Sequence, residues 1–340
     1  MTFVFIALLS FAMQSTAPAT NPGTARVADK PLFEDPVFDG AADPSIIWNR
    51  ETETWFMFYT NRRANMEEPD GVEWVHGTRI GIAESADGGA TWEYVGEANI
   101  DLADGGPQTH WAPAVVHRQG RYHMFLTHVP GIFTNWKHSR SIVHLTSENL
   151  RDWTFHSTLD LDSTRVIDAG VFPLADGTWR LWYKDEMQKA ATFYADSRDL
   201  ETWQVVGRAT EGPPSEAPVV FRWKDRYWLI VDEWSGLGVY HSDDAATWTR
   251  QEGPRLLSQP GTGPQDKVKG SHPDVLVSDD RAYLFYFTHP GRRGGVGFVS
   301  PAQRRSVMHV TELSLEDGRL TTDRNAPTYI DLKPGESPGR

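Results

Sequence analysis

Cysteine is absent from all 340 residues, which excludes disulfide bonds, zinc–thiolate sites and a catalytic thiol. Basic residues are scarce relative to acidic ones, 33 against 46, so the formal net charge is −13. Binding to nucleic-acid phosphates needs clustered Lys and Arg, and this balance argues against such a partner. The hydrophobic fraction of 39% is high enough to build a substantial core, which excludes intrinsic disorder.

Long hydrophobic runs are also missing, with one exception at the N-terminus. The run from Phe3 to Met13 is followed by Ala17-Pro18-Ala19, a pattern typical of a secretory signal peptide, although no Lys or Arg precedes the run. It is too short to span a bilayer. We therefore expect a signal peptide over residues 1–19, a secreted or periplasmic protein and no membrane partner. The polar residues 20–36 predict a mobile leader.

Helical periodicity is nearly absent, and the chain instead repeats one all-β pattern five times. Each unit opens with a short apolar strand, passes through a polar turn and returns in an aromatic-rich strand. The five openings are Asp43-Pro44-Ser45, Trp111-Ala112-Pro113, Asp168-Ala169-Gly170, Glu216-Ala217-Pro218 and His272-Pro273-Asp274. Four units also carry a later turn that ends in tryptophan, namely 85–92, 147–153, 197–203 and 242–248.

The spacing of these units predicts the architecture. If Pro44, Pro113, Gly170, Pro218 and Pro273 are equivalent, the units are 69, 57, 48 and 55 residues apart. Four strands in a unit of about 50 residues are typical of a β-propeller blade. The sequence therefore predicts a single five-bladed β-propeller over residues 37–335, with four antiparallel strands per blade. A β-sandwich is the alternative, and the fivefold repeat argues against it.

The openings of the innermost strands of a propeller meet around its axis. Asp43, Asp168 and Glu216 lie at such openings, so we expect three carboxyl groups to converge there. Glycoside cleavage needs this chemistry, because one acid protonates the leaving oxygen while a carboxylate activates water or attacks carbon. The alternative is that some of these acids cap loops or bind an axial ion.

The same openings, together with His272, resemble those of glycoside hydrolase family 43 and its five-bladed relatives, over most of residues 33–330. The resemblance implies an inverting mechanism in which Asp43 is the general base, Glu216 is the general acid and Asp168 tunes and orients the acid. Inverting carboxyl groups lie about 6.5–9.5 Å apart. We expect burial and the charge of Asp168 to raise the pKa of Glu216. The sequence departs from the family at Gly170, at Ala217 and at Ala114, which leaves the substrate open.

Further residues near the predicted rim are candidates for binding substrate. Trp111 and His110 are expected to line the pocket, and the long loops 61–78 and 128–140, with Trp74, Phe133 and Trp136, to form its walls. Polar side chains at the strand ends are expected to bind sugar hydroxyl or carboxylate groups: Arg62, Lys184, Glu233 and His272. A pocket on the axis favours removal of a terminal sugar from an oligo- or polysaccharide by a monomeric enzyme.

Other functions stay open from the sequence. The turn from Ser85 to Trp92 resembles that of sialidases, but those enzymes have six blades. A retaining fructosidase-like hydrolase and a non-catalytic carbohydrate-binding propeller are further alternatives. No compact ligand motif predicts a metal, and we expect no required cofactor. The resemblance alone allows a calcium ion on the axis near His272, in a structural or charge-neutralising role.

Overall fold

The structure is a computed structural model that describes residues 25–102, 105–292 and 297–340. Five small antiparallel sheets form its blades. The predicted signal peptide lies outside the described residues. The chain begins with β1 (Arg26–Val27), and blade I then contains β2 (Ala41–Asn49), β3 (Thr54–Asn61), β4 (Arg79–Ser85) and β5 (Glu93–Glu97). A short strand β6 (Asn99–Asp101) joins the outer edge of blade II, which contains β7 (Thr109–Arg118), β8 (Arg121–Val129), β9 (Ser141–Ser147) and β10 (Asp152–Thr158).

The last three blades follow the same order. Blade III contains β11 (Val166–Pro173), β12 (Trp179–Asp185), β13 (Ala191–Ser197) and β14 (Gln204–Arg208). Blade IV contains β15 (Glu216–Trp223), β16 (Arg226–Asp232), β17 (Leu237–Ser242) and β18 (Thr249–Arg250), and blade V contains β19 (Ser271–Ser278), β20 (Arg281–Thr288), β21 (Val307–Glu316) and β22 (Arg319–Thr321). Finally, β23 (Tyr329–Ile330) pairs with β1. The predicted five-bladed propeller is confirmed, and a six-bladed sialidase fold is excluded.

Helix is confined to three short segments within the described ranges. They are two 3₁₀ turns, Glu73–Val75 and Glu186–Gln188, and the single α-helical turn α1 (Pro301–Arg304). None of them has the length and apolar character needed to cross a membrane.

The tryptophan-ended turns stabilise the blades through one repeated set of contacts. In blade III, Ser197 Oγ donates to Asp199 Oδ1 at 3.0 Å, and this oxygen also accepts the backbone N–H of Thr202 at 2.8 Å. The Trp203 indole N–H then donates to the carbonyl of Leu200 at 3.1 Å. Similar contacts recur at Trp92 and Trp153. Because a polar side chain supplies the turn's hydrogen bonds, the sequence signal for these turns is local and easy to recognise.

A β-bulge interrupts every innermost strand at the axis. In each blade the pairing of the first two strands shifts around one non-glycine residue with a positive φ, the left-handed region in which such residues are uncommon. These residues are Asp43 (φ 57°), Ala112 (46°), Asp168 (59°), Ala217 (52°) and His272 (45°). These five bulge residues occupy equivalent positions and therefore define how the blades align with one another.

This alignment corrects one sequence equivalence. The residue that follows the bulge is proline in four blades and Ala169 in blade III, so Gly170 is one position further along than we predicted. Gly170 has its own reason to be glycine. A Cβ atom there would lie 1.9 Å from the carbonyl oxygen of Pro218 in blade IV, because the two inner strands approach closely at the axis.

The segment before blade I is packed in place, so the prediction of a mobile leader is wrong for its described part. Ala28, Leu32 and Phe33 are buried, and Phe33 exchanges backbone hydrogen bonds with Met308 of blade V. The segment thereby joins the first blade to the last. Arg340 inserts its guanidinium into the channel along the propeller axis and donates to Asp274 Oδ1 at 2.7 Å. The residues that pack in the propeller therefore extend past the predicted domain boundary at residue 335.

Candidate active site

The three predicted carboxyl groups lie at one end of the axis. Asp43 and Asp168 occupy the bulge positions of blades I and III, whereas Glu216 precedes the bulge of blade IV. His272 occupies the bulge of blade V. The four groups are close enough for Asp43, Glu216 and His272 each to affect the pKa of Asp168.

Asp43 is held ionised by three donors. Arg62 Nη2 donates to Oδ1 at 2.9 Å and to Oδ2 at 3.1 Å, His272 Nδ1 lies 3.1 Å from Oδ1, and Thr60 contributes a further hydrogen bond. Burial alone would raise the pKa of Asp43, but these partners, Arg62 foremost, lower it. The group is therefore a carboxylate over the ordinary pH range, as a general base must be.

Arg62 is itself fixed by its neighbours. Its guanidinium lies 4.8 Å from the centre of the Phe287 ring, and Nη1 lies 3.4 Å from His289 Nε2. His289 Nδ1 is 2.9 Å from the carbonyl oxygen of Arg305 and donates to it, which leaves Nε2 as an acceptor for Arg62. Burial lowers the pKa of His289 to about 3, so the imidazole stays neutral beside the guanidinium.

Glu216 is the most accessible carboxyl group of the three. Its side chain is 25% exposed, compared with 4% for Asp43. Lys184 Nζ donates to Oε2 at 3.0 Å. Burial raises the pKa of Glu216, but Lys184, His272 and Trp234 together lower it. Our prediction of a raised pKa was wrong, because it lacked the lysine.

Asp168 carries the raised pKa instead. Burial, together with the charges of Glu216 and Asp43, raises the pKa of Asp168 to about 7 against the opposing charges of His272 and Lys184. Its Oδ2 accepts the backbone N–H of Ala217 at 3.3 Å. Of the Asp168–Glu216 pair, Asp168 is therefore the group whose pKa favours the protonated form, since that of Glu216 is lowered.

In blades I to IV, the end of the second strand supplies one polar side chain that bonds the next blade. In three blades an oxygen there accepts the N–H of the neighbouring bulge residue: Thr60 from Ala112 (2.8 Å), Thr127 from Asp168 (3.0 Å) and Asp232 from His272 (3.1 Å). Blade III has Lys184 at this position, which cannot accept. In blade III, Lys184 donates to Glu216 instead, and the Asp168 carboxylate accepts the N–H of the bulge residue Ala217.

The structure assigns different contacts to the polar side chains that we predicted to bind substrate. Arg62 and His272 bond Asp43, and Lys184 bonds Glu216 and also lies 3.4 Å from Glu186. These three position carboxylates. Glu233 is 1% exposed and pairs with Arg250 at 2.8 Å and with Arg255. Its predicted contact with substrate is therefore a mistake, since both ion pairs lie within the protein.

The predicted pocket-lining aromatic residues are buried. His110 is 2% exposed, and burial, together with His128 and Arg79, lowers its pKa to about 3. Trp111 is 7% exposed and donates its indole N–H to the carbonyl of Val75 at 2.6 Å. Both residues are therefore largely covered by protein and offer little surface to a sugar.

The two long loops differ in what they expose. In the first, Trp74 is 3% exposed and packs on Phe298 with ring centres 5.0 Å apart. In the second, Trp136 is 50% exposed. Its carbonyl oxygen accepts from Arg140 at 2.5 Å and Arg165 at 3.1 Å. Of these two tryptophans, only Trp136 offers an exposed wall.

Several residues of the site escaped the sequence analysis. Thr60, Asp232 and Trp234 contact or fix the carboxylates and His272. Only the repeat itself could have indicated them, since Thr60, Thr127, Lys184 and Asp232 hold one blade position. Comparing that position between blades would have singled out the lysine of blade III.

The described residues do not fit the calcium ion that the resemblance allowed. In residues 25–102, 105–292 and 297–340, no three His, Asp or Glu side chains form a metal-ligand group. Further along the axis, Arg340 Nη1 donates to Ser45 Oγ at 3.1 Å, to the carbonyl of Ile46 at 3.1 Å and to that of Val115 at 3.4 Å. Calcium needs six to eight oxygen ligands, and a guanidinium already occupies these oxygens.

Known proteins share this fold. A crystal structure of a thermostable family-43 glycoside hydrolase matches 89% of this chain and 99% of that chain, with a TM-score of 0.64 and 18% identity. The GH32 beta-fructofuranosidase of Bombyx mori matches 88% of this chain and 64% of that one, with a TM-score of 0.63 and 13% identity.

A curated relative adds a partial sequence match. The probable sucrose-6-phosphate hydrolase of Psychromonas ingrahamii is 26% identical over 161 residues. The match spans 39% of this chain and 28% of the relative.

The family itself is identified by sequence. The family model described as glycosyl hydrolases family 43 matches residues 33–231, more than half of the chain. This range contains the bulges of blades I to IV and all three carboxyl groups of the axis. The chain therefore belongs to glycosyl hydrolases family 43 and is a glycosidase.

Proposed function

We propose that this glycosidase removes a terminal sugar from an oligo- or polysaccharide by inversion, with Asp43 as general base and Glu216 as general acid. The observation that carries the proposal is the different fixation of the two groups. Arg62 holds the buried Asp43 as a carboxylate, while Lys184 holds the more exposed Glu216 next to the proton-bearing Asp168. One ionised base and one acid pair are the parts that inversion requires.

The steps follow from this arrangement. Asp43 takes a proton from water as the water oxygen attacks the anomeric carbon. The bond from that carbon to the leaving oxygen breaks, and Glu216 gives the leaving oxygen its proton. The proton of the acid pair comes from Asp168, whose raised pKa retains it near neutral pH. Asp168 also fixes the backbone beside Glu216 through the Ala217 N–H.

The proposal extends to the setting of the reaction. We infer from the Phe3–Met13 run and Ala17-Pro18-Ala19 that residues 1–19 direct export to the periplasm or the medium, where polysaccharide is degraded. The enzyme would act as a monomer without a required cofactor. N-terminal sequencing of the exported protein and its mass in solution test both points; export of an uncleaved chain or a dimer would contradict them.

The test of mechanism uses the chain without residues 1–19 and a panel of oligosaccharides, with the anomer released followed by NMR. We expect inverted product. Glu216→Gln and Asp43→Asn should each lower kcat by about 10²–10⁴-fold or more while circular dichroism and thermal unfolding stay close to wild type. Near-normal turnover by either variant would refute the assignment.

A retaining fructosidase-like reaction is the second candidate. It is favoured by the likeness to a probable sucrose-6-phosphate hydrolase and to a beta-fructofuranosidase fold. A retaining enzyme uses one carboxylate as nucleophile, with the two groups only about 5–5.5 Å apart. Sucrose and fructan oligosaccharides therefore belong in the panel, and product of retained configuration would make Asp43 a nucleophile.

A further inference from the structure

Trp234 is an exposed aromatic residue beside the proposed acid. It follows β16 and is 45% exposed, and Lys184 Nζ, which bonds Glu216 Oε2 at 3.0 Å, lies 5.2 Å from the centre of its ring. The Trp234 side chain also helps to lower the pKa of Glu216. An indole combines a flat apolar face with a polar edge. A ring that is nearly half exposed beside the acid can offer its apolar face to a ligand.

The backbone holds this ring in place by a specific contact. Trp234 has a φ of 57°, a left-handed conformation that is strained for a bulky residue and persists only where its surroundings fix it. Its N–H donates to Asp232 Oδ1 at 2.7 Å. The other oxygen of Asp232 accepts the N–H of His272 at 3.1 Å. One buried carboxylate thus fixes residues that contact Glu216 and Asp43.

Among the described residues, a charged group of the site lies over one face of the Trp234 ring. Lys184 Nζ lies 5.2 Å from the ring centre while it bonds Glu216. Because the lysine is on one side and nearly half of the residue is exposed, the opposite face is the accessible one. Trp136 differs, since its ring packs 5.9 Å from that of Trp111 and 6.0 Å from that of His76.

The position of the ring relative to the acid identifies its ligand. A general acid protonates the oxygen between the cleaved sugar and the leaving group. We propose that the free face of Trp234 binds the leaving-group sugar, whose C–H face stacks on the indole. This rests on the proposed function. The substrate class is then a saccharide chain in which a sugar ring, and not a small group, leaves.

The test compares two substrates that carry the same terminal sugar. One is the best oligosaccharide of the panel, and the other is the glycosyl fluoride, whose leaving group has no ring to stack. Trp234→Ala should lower kcat/KM for the oligosaccharide by at least about tenfold and for the fluoride by less than about threefold. Trp234→Phe keeps an aromatic face without the indole N–H and should restore most of the loss on the oligosaccharide.

Phe155→Ala is the matched control, because Phe155 is a 38% exposed aromatic residue on the outer strand β10. Phe155→Ala should leave kcat/KM unchanged for both substrates. A fluoride leaves without protonation, so loss of an effect on Glu216 would also spare the fluoride. A loss on the oligosaccharide as large in Trp234→Phe as in Trp234→Ala would therefore mean that Trp234 acts only through Glu216, and no loss in Trp234→Ala would mean that it binds nothing; either result overturns the inference. Failure of the proposed function shows separately, as turnover by Asp43→Asn.

Discussion

The carboxylate of Asp168 in blade III accepts the backbone N–H of Ala217 in blade IV, with 3.3 Å between Oδ2 and the nitrogen. Ala217 is the bulge residue directly after Glu216. Three of the other blades use the end of a second strand to reach the neighbouring bulge, but blade III has Lys184 there. In the proposed mechanism Asp168 therefore combines two roles: it carries the proton of the acid pair and fixes the backbone beside Glu216.

Two substitutions of Asp168 separate these roles. Asp168→Asn keeps an oxygen for the Ala217 N–H but holds no transferable proton, and kcat should fall about tenfold or more. Asp168→Ala also loses the acceptor and should fall further, by about 10²–10³-fold, with a lower melting temperature. Steady-state kinetics and thermal unfolding give both values. Equal kcat values for the two variants would contradict the proposed role of Asp168 in fixing the backbone. An unchanged kcat in Asp168→Asn would contradict its proposed role in carrying the proton.

Replacing Lys184 should change the pH dependence of the reaction. The Lys184 ammonium lowers the pKa of both Glu216 and Asp168, and the acid pair loses its proton as pH rises through the raised pKa of Asp168. In Lys184→Gln, burial raises the pKa without this opposition, so the basic limb of the kcat/KM profile should move up by about one pH unit or more. Lys224→Gln, at an exposed lysine paired with Asp280, should leave the limb in place. A limb unmoved in Lys184→Gln would contradict the pairing.

Gly170→Ala should destabilise the propeller. The added Cβ would meet the carbonyl oxygen of Pro218 at 1.9 Å, and a backbone atom cannot move aside as a flexible side chain does. We expect a loss of about 1–3 kcal/mol in the free energy of unfolding, measured by urea denaturation. Gly263→Ala is the control, since the nearest atom there is Asp266 Cβ at 3.9 Å. Equal stability of the two variants would contradict the close approach of the inner strands.

Mild acid should destabilise the fold through its buried histidines. Burial is the main cause that lowers the pKa of six of them, to about 4 for His76, His123 and His309 and to about 3 for His110, His144 and His289. The unfolded chain binds protons at these sites below about pH 6.5 whereas the native chain does not. Stability is thus fully present above pH 6.5 and falls as pH drops toward 4.

Each histidine contributes up to about 1.4 kcal/mol per pH unit in that range. Asp168 opposes this, because its pKa is raised to about 7 and its contribution grows as pH falls. Urea unfolding at pH 7.5 and 5.5 should show the net loss. His144→Phe, which keeps a ring stacked on Phe125, should reduce the slope. Equal stability at the two pH values would contradict the neutral burial of these rings.

The sequence predicted the blades because each blade is specified locally. Alternating aromatic strands and the Ser-to-Trp turns form their contacts within a few residues, as Ser197, Asp199 and Trp203 show. Asp43, Asp168 and Glu216 were found for the same reason, since they hold nearly the same place in their repeats. The blade III equivalence was wrong by one residue because the bulge, and not the proline, sets the alignment.

What the sequence by itself determined is the repeat, the blade number and the set of axial carboxyl groups. Only the tertiary structure decided which charge faces which carboxyl group. Arg62 and Asp43 are 19 residues apart in the chain, and Lys184 and Glu216 are 32 residues apart. The contact of His272 with Asp43 joins the last blade to the first. The last of these pairings depends on closing the ring of blades, and all three depend on distances between side chains that no local pattern specifies. For that reason a raised pKa was predicted for Glu216 and belongs instead to Asp168.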